Sequence, residues 1–176
     1  MKWGQRKYTA KDFKPGMNIG LRHDTHAAID LDCPEAIKVA GRFLPPTDTS
    51  GKESTPDSHW WYEPVNGEPP YTKFTDTDNT TTILELRFGS NKQTVIPPSI
   101  HPNGERYVGR NGEGVYRCDA AEMERGVRMI TTATLISRHL PKPRDMGVLA
   151  PLLSSSPTPL GISSDDDSNS RLPRRP

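Results

Sequence analysis

Two aspartates, a histidine and a glutamate follow one another through three short stretches of the chain, AIDLDCPEA (28–36), PDSHWWY (56–62) and TTILELRF (81–88). Side chains two apart in a strand share a face, so Asp30 and Asp32 point one way and Ile29 and Leu31 the other. By the same rule Glu85 stands beside Arg87, opposite Leu84, Leu86 and Phe88. Grouped carboxylates suit a hard divalent cation, because Mg²⁺ is held by a few carboxylates together with water and phosphate oxygens. Each residue also has a plainer explanation. Asp32 lies within one position of a helix N-cap, and Glu85 is as well served by Arg87 as by a metal. His59, beside Trp60, Trp61 and Tyr62, is of a kind more often packed in a core than used in catalysis. Still, Lys52, Ser54, Ser58 and His59 gather a cation, hydroxyls and an imidazole along one loop, which suits a phosphate group although the loop is no Walker A motif. His23, Asp24 and His26 match no standard zinc spacing and are read as a polar turn before the Asp30 strand. His101 sits in a proline-stiffened loop (PPSIHP) bordering a possible nucleotide pocket.

The elements that must position these groups are legible from periodicity and turn chemistry. Strands are expected at 27–32, 59–63, 81–88, 93–97, 106–109 and 115–118, with Asn103-Gly104 and Asn111-Gly112 as tight turns. A helix from Pro34 to Leu44 starts directly after the aspartates, proline being well placed at a first helical position, with Ile37, Ala40 and Leu44 as its stripe. A second, over 119–140, opens on Asp119 and Glu122 in a capping-box-like start. Met123, Val127, Ile130, Ala133, Ile136 and Leu140 form its expected core stripe. The segment 45–58 reads as a long polar loop. Strands outnumber helices, so the expected fold class is α+β, a mostly antiparallel sheet with two helices on one face.

Composition narrows the field. With 176 residues the chain has room for one domain. Its 32% apolar content and mean hydropathy of -0.74, with 18 prolines and 14 glycines, indicate many loops. The 23 basic and 22 acidic residues nearly cancel, so any nucleic-acid contact must be a local patch. Cys33 and Cys118 form no CxxC pair, which argues against a zinc knuckle or a disulfide scaffold and fits reduced thiols in a cytoplasm. No apolar run is long enough for a signal peptide or membrane span. Proline, serine and glycine fill 16 of the 36 positions of 141–176, the composition of a disordered tail.

Taken in order, NIGLR (18–22), AIDLDCPEA, RFLPPT, SHWWY (58–62), TKF (72–74), LELR (84–87), QTVIPPSIHPNGE (93–105) and RHLP (138–141) resemble the bifunctional DNA primase/polymerase (prim-pol) family of the archaeo-eukaryotic primase superfamily. A run of blocks in one order is far more specific than any single motif. The resemblance implies an RRM-like primase/polymerase catalytic core over 1–140, flanked by the disordered tail at 141–176. It also implies that Asp30, Asp32 and Glu85 bind two divalent ions, Mg²⁺ or Mn²⁺, and that His59 contacts the incoming nucleotide. The implied reaction is template-directed transfer of a nucleotide to a 3′-hydroxyl on single-stranded DNA, with nucleoside triphosphates as substrates. Ser58, with Lys52 and Arg87, completes the expected nucleotide-binding set, the last two on charge and position. Family members carry an additional N-terminal strand and helix and a helical continuation after RHLP, so a shortened core is expected. A separate helicase is an expected partner, a membrane is not, and the expected setting is the cytoplasm of a prokaryotic host, encoded there or by a virus or plasmid. Two other readings stay open: a catalytically inactive nucleotide- or nucleic-acid-binding remnant, and a metal-dependent nuclease, for which Glu85-Leu86-Arg87 loosely echoes an acid-x-base pattern while His59 has no role.

Overall fold

The computed structural model describes residues 8–110 and 112–140. The tail expected over 141–176 lies outside the described residues, as does Asn111 of the second expected turn. Seven strands form one sheet: β1 (Ile19–Leu31), β2 (Thr49–Lys52), β3 (Thr55–Val65), β4 (Thr72–Thr75), β5 (Thr82–Ile96), β6 (Tyr107–Arg110) and β7 (Tyr116–Asp119). Their order is β4-β5-β1-β3-β2-β6, antiparallel throughout, while β7 runs parallel to β3 beside Tyr62–Val65. With the helices α1 (Pro34–Val39) and α2 (Ala120–His139), the chain is α+β, as expected.

The alternation of β1 and β5 sorts their side chains onto two unlike faces. Ala27, Ile29, Leu31, Leu84 and Leu86 join Tyr62 and the helical residues Ala36, Met123, Val127 and Ile130 in one buried cluster, so both helices cover a single face of the sheet. Pro34 opens α1 and Asp119 caps α2, its carboxylate accepting from the Ala121 amide at 2.9 Å. At Gly126, α2 comes so close to the α1–β2 connection that a Cβ would stand 2.5 Å from Leu44 Cδ2 and 3.0 Å from the Phe43 carbonyl oxygen. Arg138 then ties the end of α2 down, meeting Glu35 through Nε and Nη2 at 3.0 and 2.9 Å and Asp76 through Nη1 at 2.7 Å, while His139 also reaches Asp76.

Several expectations need correction. The stretch 45–58 is no long loop, since Thr49–Lys52 and the residues from Thr55 onward are strands joined by a tight hairpin at Glu53-Ser54. Its buried side chains are hydroxyls bonded to neighbours, Thr49 to Asp57 and Ser50 to Trp61, so no apolar alternation announced it. Segments 81–88 and 93–97 are one strand, and the polar residues 19–26 extend β1, because these two halves pair with each other. His23 and His26 therefore lie in a strand with a bulge and not in a turn. The short strand β4 was not expected. The first helix ends at Val39 and becomes a 3-10 turn over Ala40–Arg42, ahead of Pro45-Pro46. Of the expected stripe of α2, Ile136 is exposed, as is Leu140 just past the helix end. Steps of three residues fall behind the 3.6-residue turn, so Thr131 and Thr134 take the buried places instead. No helix among the described residues is long and apolar enough to cross a membrane.

Candidate active site

The sheet face opposite the helices carries a row of charge. Asp30 on the central strand is paired in register with His59 of β3 on one side and with Glu85 of β5 on the other. Three strands thus bring residues from distant parts of the chain to one level. Asp32 lies just past the end of β1, its amide bonded to the Ile83 carbonyl at 2.9 Å. Lys52 at the end of β2 is near enough to act electrostatically on Asp30 and His59. Ser58 is not brought to the row. Strand alternation turns it to the face opposite His59, where it is buried beside Gly51. The hydroxyl at the imidazole is that of Ser50, 3.4 Å from His59 Nδ1.

Arg87 binds the row together. Its Nη2 lies 2.6 Å from Asp30 Oδ2 and its Nε 2.7 Å from Glu85 Oε2, while Lys73 of β4 approaches Glu85 Oε1 at 3.6 Å. His59 Nε2 stands 3.4 Å from Asp30 Oδ1. Burial raises the Asp30 carboxyl and Glu85 adds to the effect, with Arg87 and Lys52 opposing. Asp32, exposed as a residue, is nonetheless lifted to about 6 by loss of solvent and by the charges of Asp30 and Glu85. Burial also acts to raise Glu85, but the hydrogen bond and charge of Arg87, with Lys73, outweigh it and leave the carboxyl lowered. His59 is pushed down to about 4, by burial first and then by Arg87 and Lys52, so its imidazole is neutral near pH 7.

Sequence reasoning overlooked several groups around this row. Trp61 Nε1 donates to Ser50 Oγ at 2.9 Å, and Tyr107 of β6 stacks on His59 with ring centres 6.0 Å apart. Tyr71 is near enough to Glu85 to act on its carboxyl electrostatically, and Lys92 Nζ lies 3.3 Å from the centre of the Tyr71 ring. Trp61 stood in SHWWY and Lys73 in TKF, blocks of the family resemblance, but Ser50, Tyr71 and Tyr107 carry no local signal. They reach the site only through strand pairing.

The donor set fits divalent cations by its chemistry. Asp30, Asp32 and Glu85 are oxygen ligands of the kind Mg²⁺ and Mn²⁺ take, and the mutual repulsion that lifts Asp32 is relieved by positive charge. Among the described residues no group of three His, Cys, Asp or Glu side chains is placed to hold a metal ion, and the Arg87 guanidinium bridges two of the carboxylates.

The face of the α+β sheet away from the helices thus carries a carboxylate row on its central strands, with Lys73 and Arg87 set against it. The family model for the bifunctional DNA primase/polymerase N-terminal domain matches residues 3–124, and the chain belongs to that family. No curated protein and no solved structure matches it significantly.

Proposed function

We propose that the chain is a primase/polymerase nucleotidyltransferase, with the RRM-like core of that superfamily, acting on single-stranded template DNA with nucleoside triphosphates as substrates. The observation that supports this most directly is the in-register row His59, Asp30 and Glu85, with Asp32 at the strand end, on the face the helices leave open. Asp30, Asp32 and Glu85 would hold two divalent ions, which when bound lower the pKa of the attacking 3′-hydroxyl and neutralise the triphosphate. The residues of the chain do the rest. Neutral His59 offers an N–H to a phosphate oxygen without adding charge, while Lys52 and Arg87 offset the triphosphate and orient it for in-line displacement at the α-phosphorus. The 3′-oxygen forms the new bond, the bond to pyrophosphate breaks, and the hydroxyl proton leaves to solvent.

One observation favours a second reading, a nucleotide- or nucleic-acid-binding domain without chemistry: the guanidinium already neutralises Asp30 and Glu85. Labelled-nucleotide incorporation on single-stranded DNA, with and without a supplied primer, separates the two. Metal-dependent incorporation by the wild type that disappears in Asp30→Ala/Asp32→Ala is the expected result. Nucleotide binding indifferent to Mg²⁺ or Mn²⁺, with no incorporation, overturns the polymerase reading and leaves the binding one.

A further inference from the structure

Arg87 is also held from behind, by residues that the proposed chemistry does not use. His23 on β1 is fully buried, and its ring stacks on Trp61 with centres 5.8 Å apart. Its Nδ1 lies 2.9 Å from the His26 carbonyl oxygen, which can only accept, so Nδ1 carries the proton and donates. The bulge between His23 and Ala28 lets a carbonyl three residues along turn back onto the ring. In the neutral imidazole Nε2 is then an acceptor, and the Thr94 hydroxyl 2.9 Å away donates to it. With its one proton committed, Thr94 Oγ1 offers lone pairs to Arg87 Nη1 at 3.4 Å. A guanidinium only donates, so every bond runs one way, from Arg87 through Thr94 and His23 to the backbone. Threonine and histidine each meet the next group in the only sense open to it.

We propose that Thr94 and His23 are positioning residues that fix the guanidinium fork of Arg87, holding Nε and Nη2 on Glu85 and Asp30 and presenting the cation in one orientation to a triphosphate bound over the carboxylate row. The effect on binding rests on the reading of Arg87 as a phosphate contact; the relay itself does not. Anchoring Nη1 leaves rotation of the fork restricted at each of its nitrogens. A bidentate or stacked arginine loses its selectivity for phosphate geometry once it can turn freely.

The test uses the full chain, labelled with ¹⁵N, as wild type, Thr94→Val and Thr94→Ser. In the wild type the His23 resonances should show a protonated Nδ1 and an unprotonated Nε2, and the Arg87 Nη1 and Nη2 groups should give separate, slowly exchanging signals. Thr94→Val should average the Arg87 signals and weaken binding of inorganic tripolyphosphate, measured calorimetrically with Mg²⁺, by roughly three- to tenfold, the scale of one net hydrogen bond. Thr94→Ser should keep both within about twofold, since it retains the hydroxyl. Wild-type His23 protonated on Nε2 overturns the proposal, as do Arg87 signals unaltered in Thr94→Val, even where that variant melts earlier. Should Thr94→Val not fold, the His23 tautomer and Thr94→Ser still decide. Averaged Arg87 signals in a chain whose wild type binds no tripolyphosphate uphold the relay and remove the phosphate-contact reading alone.

Discussion

Replacing Arg87 with methionine keeps most of the side-chain volume and removes the charge that holds the carboxylate row together. Asp30 and Glu85 have only 10% and 14% of their side chains accessible, and Arg87 itself 23%. Breaking a fully buried pair by removing one partner costs about 3–5 kcal/mol. The partial exposure of Arg87 and the remaining Lys73 at 3.6 Å from Glu85 reduce the expected loss, to about 2–4 kcal/mol, or roughly 8–16 °C in Tm for a domain of this size. The loss should depend on pH. Burial already raises Asp30 while Arg87 opposes that rise, so without the guanidinium the folded state takes up protons on Asp30 and Glu85 more readily than the unfolded chain. A folded pKa above the unfolded one makes a stabilising contribution at low pH that is lost as pH rises through the folded value. The deficit of Arg87→Met should therefore be largest at about pH 8 and shrink toward about pH 5. Added Mn²⁺ should restore stability in the variant, by about 2.7 kcal/mol at roughly a hundredfold its dissociation constant. Thermal unfolding across pH, with and without Mn²⁺, measures all of this. A deficit below about 0.5 kcal/mol, or one that does not vary with pH, would refute the view that Arg87 offsets a buried carboxylate pair.

Other perturbations test the framework around the site. Trp61→Phe keeps the ring face that stacks on His23 but removes the Nε1 donor to Ser50, and should cost about 0.5–1.5 kcal/mol in chemical denaturation. Gly126→Ala places a Cβ against the Phe43 carbonyl and should destabilise by about 1–3 kcal/mol through overpacking, read as a lower midpoint at unchanged denaturant slope. Asp76 and Glu35 are both held down at about 2, chiefly by hydrogen bonds from Arg138. Folded values below the unfolded ones give stability that is present above about pH 4.5 and lost as pH falls toward about 2. Hydrogen exchange at the end of α2 should accelerate through that acid window in the wild type and show a much weaker acid response in Arg138→Met.

What was legible in the sequence was whatever announces itself over consecutive residues. Ile29-Asp30-Leu31-Asp32 and Leu84-Glu85-Leu86-Arg87 alternate strictly, so the two faces of the central strands followed directly. Pro34 and Asp119 mark helix starts by chemistry local to one turn. β2 escaped notice because its buried side chains, Thr49 and Ser50 on opposite faces, are polar, with hydroxyls satisfied by Asp57 and Trp61 on the neighbouring strand. A residue whose burial is made favourable by a partner elsewhere looks solvent-loving in isolation. The same holds for His23, which resembled a surface turn until Thr94 and the His26 carbonyl supplied its two hydrogen bonds.

The site shows a finer form of this limit. Asp30, Asp32, His59 and Glu85 were singled out because their residue types can do chemistry, and strand register then placed Asp30 directly between His59 and Glu85. Arg87 was read both as Glu85's structural partner and as a phosphate contact; the structure shows the first, with Arg87 meeting Glu85 on its own strand and Asp30 on the next, and the second belongs to the proposal. Pairing within one strand is visible from spacing, but pairing across strands depends on a register that no local pattern specifies. Ser58 illustrates the converse. It adjoins His59 in sequence and so seemed to belong with it, yet adjacency in a strand means opposite faces, and Ser50, nine residues away and on another strand, takes the place beside the imidazole. In a sheet-built site the companions of a functional side chain are found two residues along or one strand over.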